Sequence, residues 1–199
     1  AWPAQPVCDS CVARFGQAQP RCRRCALPVP EGVAECGRCL REPPPLDACH
    51  AFADYGYPWS ALITQFKFQG RPGWARTFAA LMRSAPGVQE AIARADLLVP
   101  MPLSRERLAE RGFNQALLLA RALAPRKARP DVLLRIRHTA AQTALDRHGR
   151  LANVEGAFAV EPSLAASLHA RRVVLVDDVM TSGASLFSAA AALRRVGAA

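Results

Sequence analysis

Long apolar runs are absent from this chain of 199 residues. No stretch approaches the roughly 18 uncharged residues that a membrane-spanning helix needs. The first residues, Ala1-Trp2-Pro3, lack the charged start and the apolar core of a secretory signal peptide. These absences disfavour a membrane protein and a secreted protein, and we expect a cytoplasmic one. An initiator methionine is also absent and Gly197-Ala198-Ala199 follows a helical pattern, so we expect a fragment cut at both ends.

Lysine is almost absent as well. Lys67 and Lys127 are the only lysines, so arginine supplies nearly all of the 26 basic residues, which outnumber 16 acidic ones and give a formal net charge of +10. Guanidinium groups bind phosphate oxygens in pairs, which suits a phosphate or nucleic-acid ligand. An arginine-rich solvated surface explains the surplus equally well. The hydrophobic content of 51% excludes a disordered or fibrous chain.

Cysteine is concentrated at one end of the sequence. Six of the seven cysteines precede residue 45, in a proline-rich segment without a long periodic apolar pattern. Pro43-Pro44-Pro45 favours stiff polyproline II and interrupts both helix and sheet. We therefore predict a cysteine-rich domain over residues 1–45 and a second domain over residues 46–199.

Three Cys-x-x-Cys pairs follow one another at regular intervals: Cys8/Cys11, Cys22/Cys25 and Cys36/Cys39. One such turn directs two thiolates at a metal ion, and two turns complete a tetrahedral Zn²⁺ site. We predict a zinc ribbon formed by Cys22, Cys25, Cys36 and Cys39. Cys8 and Cys11 are then a pair whose partners would lie upstream of Ala1.

Zinc in such a ribbon is expected to be structural, because four thiolates leave no coordination position open for water. A short segment with little apolar content also needs a staple in order to fold. Disulfides of a secreted module and a redox dithiol are the alternatives. The missing export signal disfavours the first, and the missing strand and helix around a single pair disfavour the second. Cys49 is expected to be a lone buried thiol.

The remainder of the sequence alternates between helical and strand patterns. Apolar spacing predicts helices over 57–68, 74–82, 113–124 and 185–196, with Gly197 just past the end of the last one. Apolar runs predict strands over 97–99 and 173–176, and weaker ones over 132–134 and 157–160. This alternation predicts an α/β fold with a parallel sheet covered by helices on both faces.

The most informative stretch runs from Val173 to Ser185. Its apolar strand ends in Asp177 and Asp178, at the edge where α/β sheets bind ligands. A turn follows and leads into a helix. The backbone N–H groups and hydroxyls at the start of this helix can hold a phosphate. The turn comprises Thr181, Ser182, Gly183, Ala184 and Ser185. Gly183 lets the backbone approach closely. The two aspartates can accept hydrogen bonds from vicinal ribose hydroxyls. An aspartate that caps the next helix and a paired-aspartate magnesium site are the alternatives.

This stretch resembles the phosphoribosyl-pyrophosphate (PRPP) motif of type I phosphoribosyltransferases. Other blocks extend the resemblance over nearly the whole chain: Phe66-Lys67-Phe68, Arg105, Arg107, the run Arg111-Gly112-Phe113-Asn114-Gln115, and polar residues within 137–158. Together with the cysteine pairs, they resemble the ComF family, whose members join a zinc ribbon to a phosphoribosyltransferase-like domain. Family members commonly have Thr-Thr-Gly-x-Thr after the acidic pair, and longer members carry four cysteine pairs.

The resemblance implies binding of PRPP with Mg²⁺ and transfer of its phosphoribosyl group to an unknown acceptor. Asp177, Asp178, Arg105 and Arg111 are then the catalytic candidates, with Arg107 as a further candidate for neutralising pyrophosphate. A solvated, basic helix start is the alternative for the arginines. The polar segment 137–156 is expected to be a mobile cover over the sugar phosphate or a plain surface loop.

The family resemblance also implies an association with natural competence and the uptake of single-stranded DNA. A second functional hypothesis is therefore a non-catalytic accessory protein that binds single-stranded DNA and works with the DNA-uptake machinery. Aromatic residues make up only 7% of the chain, which leaves few platforms for base stacking in the cysteine-rich part.

Overall fold

The structure is a computed structural model that describes residues 7–136 and 156–199. The chain divides into two compact units between Ala91 and Ile92, here called unit 1 and unit 2. The domain boundary that the sequence predicts after residue 45 lies within unit 1 and stays a prediction. The predicted cover over 137–156 lies outside the described residues, apart from its last position.

Unit 1 consists of short helices joined by turns. Their bounds are α1 Asp9–Phe15, α2 Gly37–Arg41, α3 Trp59–Phe68 and α4 Trp74–Ser84, followed by α5 Val88–Arg94, which crosses into unit 2. The helices predicted over 57–68 and 74–82 are confirmed as α3 and α4. Phe66 is fully buried against Phe78, with ring centroids 5.5 Å apart. Trp59 is also buried, and its indole N–H donates to the carbonyl of Phe15 at 2.9 Å, which fixes the end of α1.

The four strands found among the described residues all lie in unit 2. Its elements are β1 Leu97–Pro100, α6 Arg105–Arg111, α7 Gln115–Leu123, β2 Leu133–Arg135, β3 Phe158–Val160, a 3₁₀ helix Pro162–Leu168, β4 Val173–Val176 and α8 Ala184–Arg195. The predicted strand over 173–176 and the predicted helices over 113–124 and 185–196 are confirmed to within two residues. Gly197 has φ +79°, and the N–H groups of Gly197 and Ala198 donate to Arg194 and Leu193 as in a Schellman motif.

A small parallel sheet lies at the centre of unit 2. β1 and β4 pair in parallel, with Leu97 opposite Val173 and Pro100 opposite Val176. Backbone hydrogen bonds add Lys127 and Arg129 on the other side of Leu98. Because parallel strands end at the same edge, the loops after β1 and after β4 both leave at this edge. The N–H of Met101 donates to Val176 at 2.9 Å, which holds the two loops together.

The weaker strand candidates do not join this sheet. β2 and β3 pair antiparallel in a separate two-stranded sheet, so the prediction of a single parallel sheet is wrong for them. Their burial gives the physical reason. Leu133 and Phe158 are buried whereas Leu134 is exposed, and this one-sided burial suits an antiparallel ribbon better than a parallel strand buried on both faces.

The core of unit 2 forms where helices cover the strands. Val99, Leu133, Phe158 and Leu168 pack together with the alanine-rich side of α8. Small residues such as Ala189 let that helix lie close to the strands. No helix within 7–136 or 156–199 has the length and apolar character that crossing a bilayer requires.

One of the two lysines has a structural position in unit 2. The Lys127 ammonium donates to the carbonyls of Ile92, Ala93 and Ala95 at 2.8, 3.0 and 2.8 Å. These carbonyls lie at the end of α5, where helical carbonyls lack intrahelical partners. Lys127 therefore ties α5 to the strand-like segment that flanks Leu98.

Candidate functional site

Four cysteines of unit 1 converge on one point. The Sγ atoms of Cys22, Cys25, Cys36 and Cys39 all lie within 4.8 Å of one another, and the Sγ atoms of Cys25 and Cys36 are 3.7 Å apart. A tetrahedral zinc ion with Zn–S bonds of about 2.3 Å requires S–S distances of roughly 3.8 Å. The donor set and its spacing fit a structural metal ion such as zinc.

Two local turns bring these thiols together. In the first turn, the N–H of Ala26 donates to the Cys22 carbonyl at 2.8 Å, and Ala26 adopts a left-handed conformation with φ +57°. In the second, Cys36 is the N-cap of α2, so that Cys39 lies in the first turn of this helix. The Cys36 N–H donates to Cys22 Sγ at 3.3 Å, which joins the two turns.

The acidities of these thiols differ because they lie so close together. Burial raises the pKa of Cys22, but backbone N–H donors, that of Cys36 foremost, outweigh it and lower this pKa to about 6. Burial, followed by contacts with the neighbouring thiols, raises the pKa of Cys39 well above its usual range. Burial also raises the pKa of Cys25. Four adjacent sulfurs cannot all be thiolates without a cation, and a divalent metal ion supplies that charge.

Charged residues next to the cysteine cluster form hydrogen bonds with one another and with the backbone. Glu35 accepts hydrogen bonds from Arg23 at 2.6 Å and from Arg24 at 3.1 and 3.2 Å. Arg24 also donates to the carbonyl of Leu46 at 3.0 Å. The Cys49 N–H donates to the Arg23 carbonyl at 2.7 Å. Cys49 is a half-buried thiol, and burial followed by nearby cluster thiols raises its pKa to about 11.

The first cysteine pair lies apart from this cluster. Cys8 is exposed and Cys11 is half-buried, and neither belongs to a metal-binding group within the described residues. The Cys8 Sγ lies 3.1 Å from the Ser10 hydroxyl, and this contact lowers the pKa of Cys8 to about 7. Metal binding by Cys8 and Cys11 stays a prediction.

The second candidate site lies at the carboxyl end of the parallel sheet. β4 ends at Val176, and the half-buried Asp177 and Asp178 follow it directly. The N–H of Asp178 donates to Asp177 Oδ1 at 2.9 Å. This bond orients the two carboxylates at the edge where the loops after β1 and β4 leave the sheet.

Arg111 and Asp178 are linked through Gln115. The Gln115 Nε2 donates to Asp178 Oδ1 at 3.3 Å, and Gln115 Oε1 accepts from Arg111 Nη1. Gln115 is only 5% exposed. Oδ2 of Asp178 is buried. Burial lowers the pKa of Arg111, and the charge of Asp178 acts in the opposite direction. The Arg111 guanidinium therefore interacts electrostatically with the acidic pair.

Two further arginines lie near these groups. Burial lowers the pKa of Arg135, Arg107 acts in the same direction, and Asp177 opposes both. The Arg135 guanidinium lies over the Phe158 ring, 5.5 Å from its centroid. By contrast, Arg105 is exposed. Its catalytic role stays a prediction.

No sequence pattern predicted a separate role for Gln115 or Arg135, and Gln115 appeared only within the run that resembles the ComF family. A polar side chain after the arginine cluster and an arginine at a strand end were the available signals. Neither signal reveals which long-range neighbour the residue meets.

The turn after the acidic pair contains a glycine in the left-handed conformation at the start of α8. Gly183 has φ +83° and is the N-cap of α8. A Cβ atom at Gly183 would lie 2.4 Å from the Phe187 ring, so only glycine fits. Ser182 Oγ accepts from the Ala184 N–H at 3.4 Å, and Thr181 is exposed. Ser182 and Ser185 are half-buried at the start of this twelve-residue helix.

Comparisons with known proteins show the family to which the chain belongs. No family model and no solved structure matches the chain. The chain is 34% identical to Competence protein F of Haemophilus influenzae, over 79% of this chain and 71% of that protein. It is 34% identical to DNA utilization protein YhgH of Escherichia coli K12, over 80% and 71%. Competence protein ComFC of Bacillus subtilis is 38% identical over 51% of this chain and 39% of its own length. The chain therefore belongs to the ComF family.

Proposed function

We propose that the acidic loop of unit 2 binds PRPP together with Mg²⁺ and that unit 2 is a phosphoribosyltransferase-like domain. One observation carries the proposal. The acidic pair, the left-handed Gly183 and the Arg111–Gln115 link occur around one edge of the parallel sheet. This edge is where α/β folds bind nucleotides and sugar phosphates. Binding of zinc by the cysteine cluster is part of the same proposal.

Each part of the loop has a distinct task in this proposal. Asp177 and Asp178 accept hydrogen bonds from the vicinal ribose hydroxyls. The backbone N–H groups and hydroxyls of residues 181–185 hold the 5′-phosphate. Arg111 offsets charge on the pyrophosphate, and bound Mg²⁺ would supply further positive charge there.

The reaction itself needs no covalent enzyme nucleophile. The bond between ribose C1 and a pyrophosphate oxygen breaks, and its electron pair leaves with pyrophosphate. A nitrogen atom of the acceptor forms the new bond to C1 and gives up a proton to water. The protein contributes by holding the ribose and by stabilising the leaving group.

Calorimetric titration with PRPP and Mg²⁺ tests the binding site. The double variant Asp177→Asn/Asp178→Asn should bind at least tenfold more weakly, on the order of 1.4 kcal/mol, because charge-assisted hydrogen bonds are lost. Asp131→Asn is the matched control, since Asp131 is an exposed aspartate of the same unit that pairs with Arg129. Equal affinity in the double variant would show that the acidic pair does not hold this ligand.

The names of the relatives favour a second functional statement. Competence protein F and DNA utilization protein YhgH are named for competence and DNA utilization. We infer that this chain has an associated role, binds single-stranded DNA in the cytoplasm and acts with DNA-uptake machinery. A specific surface of unit 1 supports it. The Tyr57 ring is 81% exposed and meets Phe15 edge-to-face at 5.6 Å, and Arg14 lies 5.2 Å above the Phe15 ring.

An exposed tyrosine ring next to a second aromatic ring and a guanidinium is suited to base stacking and phosphate pairing. In fluorescence titrations with an oligothymidine strand, Tyr57→Ala should weaken binding by about 1–3 kcal/mol and leave the salt dependence unchanged. Arg14→Gln should instead lower the slope of log affinity against log salt by about 0.7, the value for one phosphate contact on a single strand. Phe68→Ala, another exposed aromatic of unit 1, is the control. No binding even at low salt would exclude the DNA role.

A further inference from the structure

Gln115 is one of few buried polar side chains in unit 2, and both ends of its amide are hydrogen-bonded. The oxygen accepts from Arg111 and the nitrogen donates to Asp178. A guanidinium can only donate and a carboxylate can only accept, so the orientation of the amide is fixed by its two neighbours. No other uncharged side chain of this length offers an acceptor and a donor at once.

The backbone of Gln115 is fixed as well. Gln115 is the first residue of α7, and Asn114 caps this helix by accepting from the Leu117 N–H at 3.2 Å. The Asn114 Nδ2 donates to the carbonyl of Met101 at 3.0 Å. The start of α7 is therefore tied to the end of β1, and Gln115 reaches Asp178 from an anchored position.

We propose that Gln115 is a positioning residue whose amide holds the Asp178 carboxylate and the Arg111 guanidinium in one arrangement, so that both engage the same ligand. This inference rests on the proposed function, in which the acid holds ribose and the cation faces pyrophosphate. The carboxylate keeps acceptor capacity for ribose, and the guanidinium keeps donors for pyrophosphate.

Two substitutions separate this role from simple packing. Gln115→Met keeps the length of the side chain and removes both hydrogen bonds, and it should weaken binding of PRPP with Mg²⁺ at least tenfold. Gln115→Glu keeps the shape but sets a second carboxylate against Asp178, and at pH 8 it should weaken binding at least as much. At pH 5.5 the carboxyl pair shares a proton, which restores a donor, so the deficit relative to the unaltered protein should shrink at least fivefold.

The matched controls are Gln65→Met and Gln65→Glu, because Gln65 also accepts from an arginine, Arg71, at 3.4 Å, in unit 1. Calorimetry at both pH values, with thermal melts of every variant, gives the readout. A folded Gln115→Met protein with affinity within twofold of the unaltered protein would overturn the inference, as would a pH-independent deficit in Gln115→Glu. If the unaltered protein itself fails to bind PRPP, the proposed function fails, and the inference that rests on it falls too.

Discussion

Replacing Cys39 by serine should weaken the binding of a metal ion such as zinc to the cysteine cluster of unit 1. Cys39 supplies one of four sulfurs that lie within 4.8 Å of one another. Structural zinc sites bind with about 10–16 kcal/mol, so one ligand of four accounts for roughly 3 kcal/mol. Cys39→Ser should therefore weaken zinc binding by a factor on the order of 10².

Competition with a chromophoric zinc chelator measures this loss, and the helical signal in circular dichroism follows unit 1 during removal of the metal. Cys49→Ser is the matched control, because Cys49 is a thiol near the cluster but not a member of it. We expect the control to retain the affinity of the unaltered protein. Equal zinc content and equal affinity in both variants, or a protein purified without any metal, would refute the reasoning.

Three further outcomes follow from unit 2. Lys127→Met should lower the free energy of unfolding by about 2–4 kcal/mol in urea titrations, since three carbonyls lose a charged donor, and an unchanged midpoint would contradict this. Gly183→Ala should lower the free energy of unfolding more than Gly112→Ala does. Both glycines have positive φ, so alanine at either position introduces about 1–2 kcal/mol of backbone strain. Of the two, only Gly183 would also bring the added methyl group against an aromatic ring. The backbone N–H of Arg172 donates to Asp96 and lowers its pKa. The stabilisation of the folded state by this hydrogen bond is therefore present above about pH 4 and is lost as pH falls below it. Asp96→Asn should therefore have a lower free energy of unfolding than the unaltered protein at pH 6 and the same free energy of unfolding near pH 2.

The local patterns of the sequence were sufficient for several elements. The run Val173–Val176 is apolar and bounded by charged residues, and it forms β4 as predicted. The spacing of the cysteine pairs predicted the cluster, because a two-residue gap constrains both thiols of a turn. Gly197 ends the last helix for the reason that glycine tolerates positive φ.

Contacts between distant residues were beyond these patterns. Gln115 and Asp178 are 63 positions apart, and their hydrogen bond depends on the order of the strands. The pairing of β2 with β3 also depends on tertiary contacts, since a three-residue apolar run carries no signal for strand direction. Helical periodicity places the arginines of α6 on two faces. Arg107 and Arg111 are four residues apart and share a face of α6, whereas Arg105 lies about 120° around the helix from Arg111.

Because the Lys127 ammonium is bound by backbone carbonyls, its chemical reactivity can report local unfolding of unit 2. An amine can be acylated only after it leaves its carbonyl partners, and all three partners of Lys127 belong to the same unit. Because the sequence has just one other lysine, a digest after treatment with an amine-reactive ester resolves both sites. The rate of labelling at Lys127, measured by mass spectrometry, therefore reports the rate of local unfolding without any engineered probe.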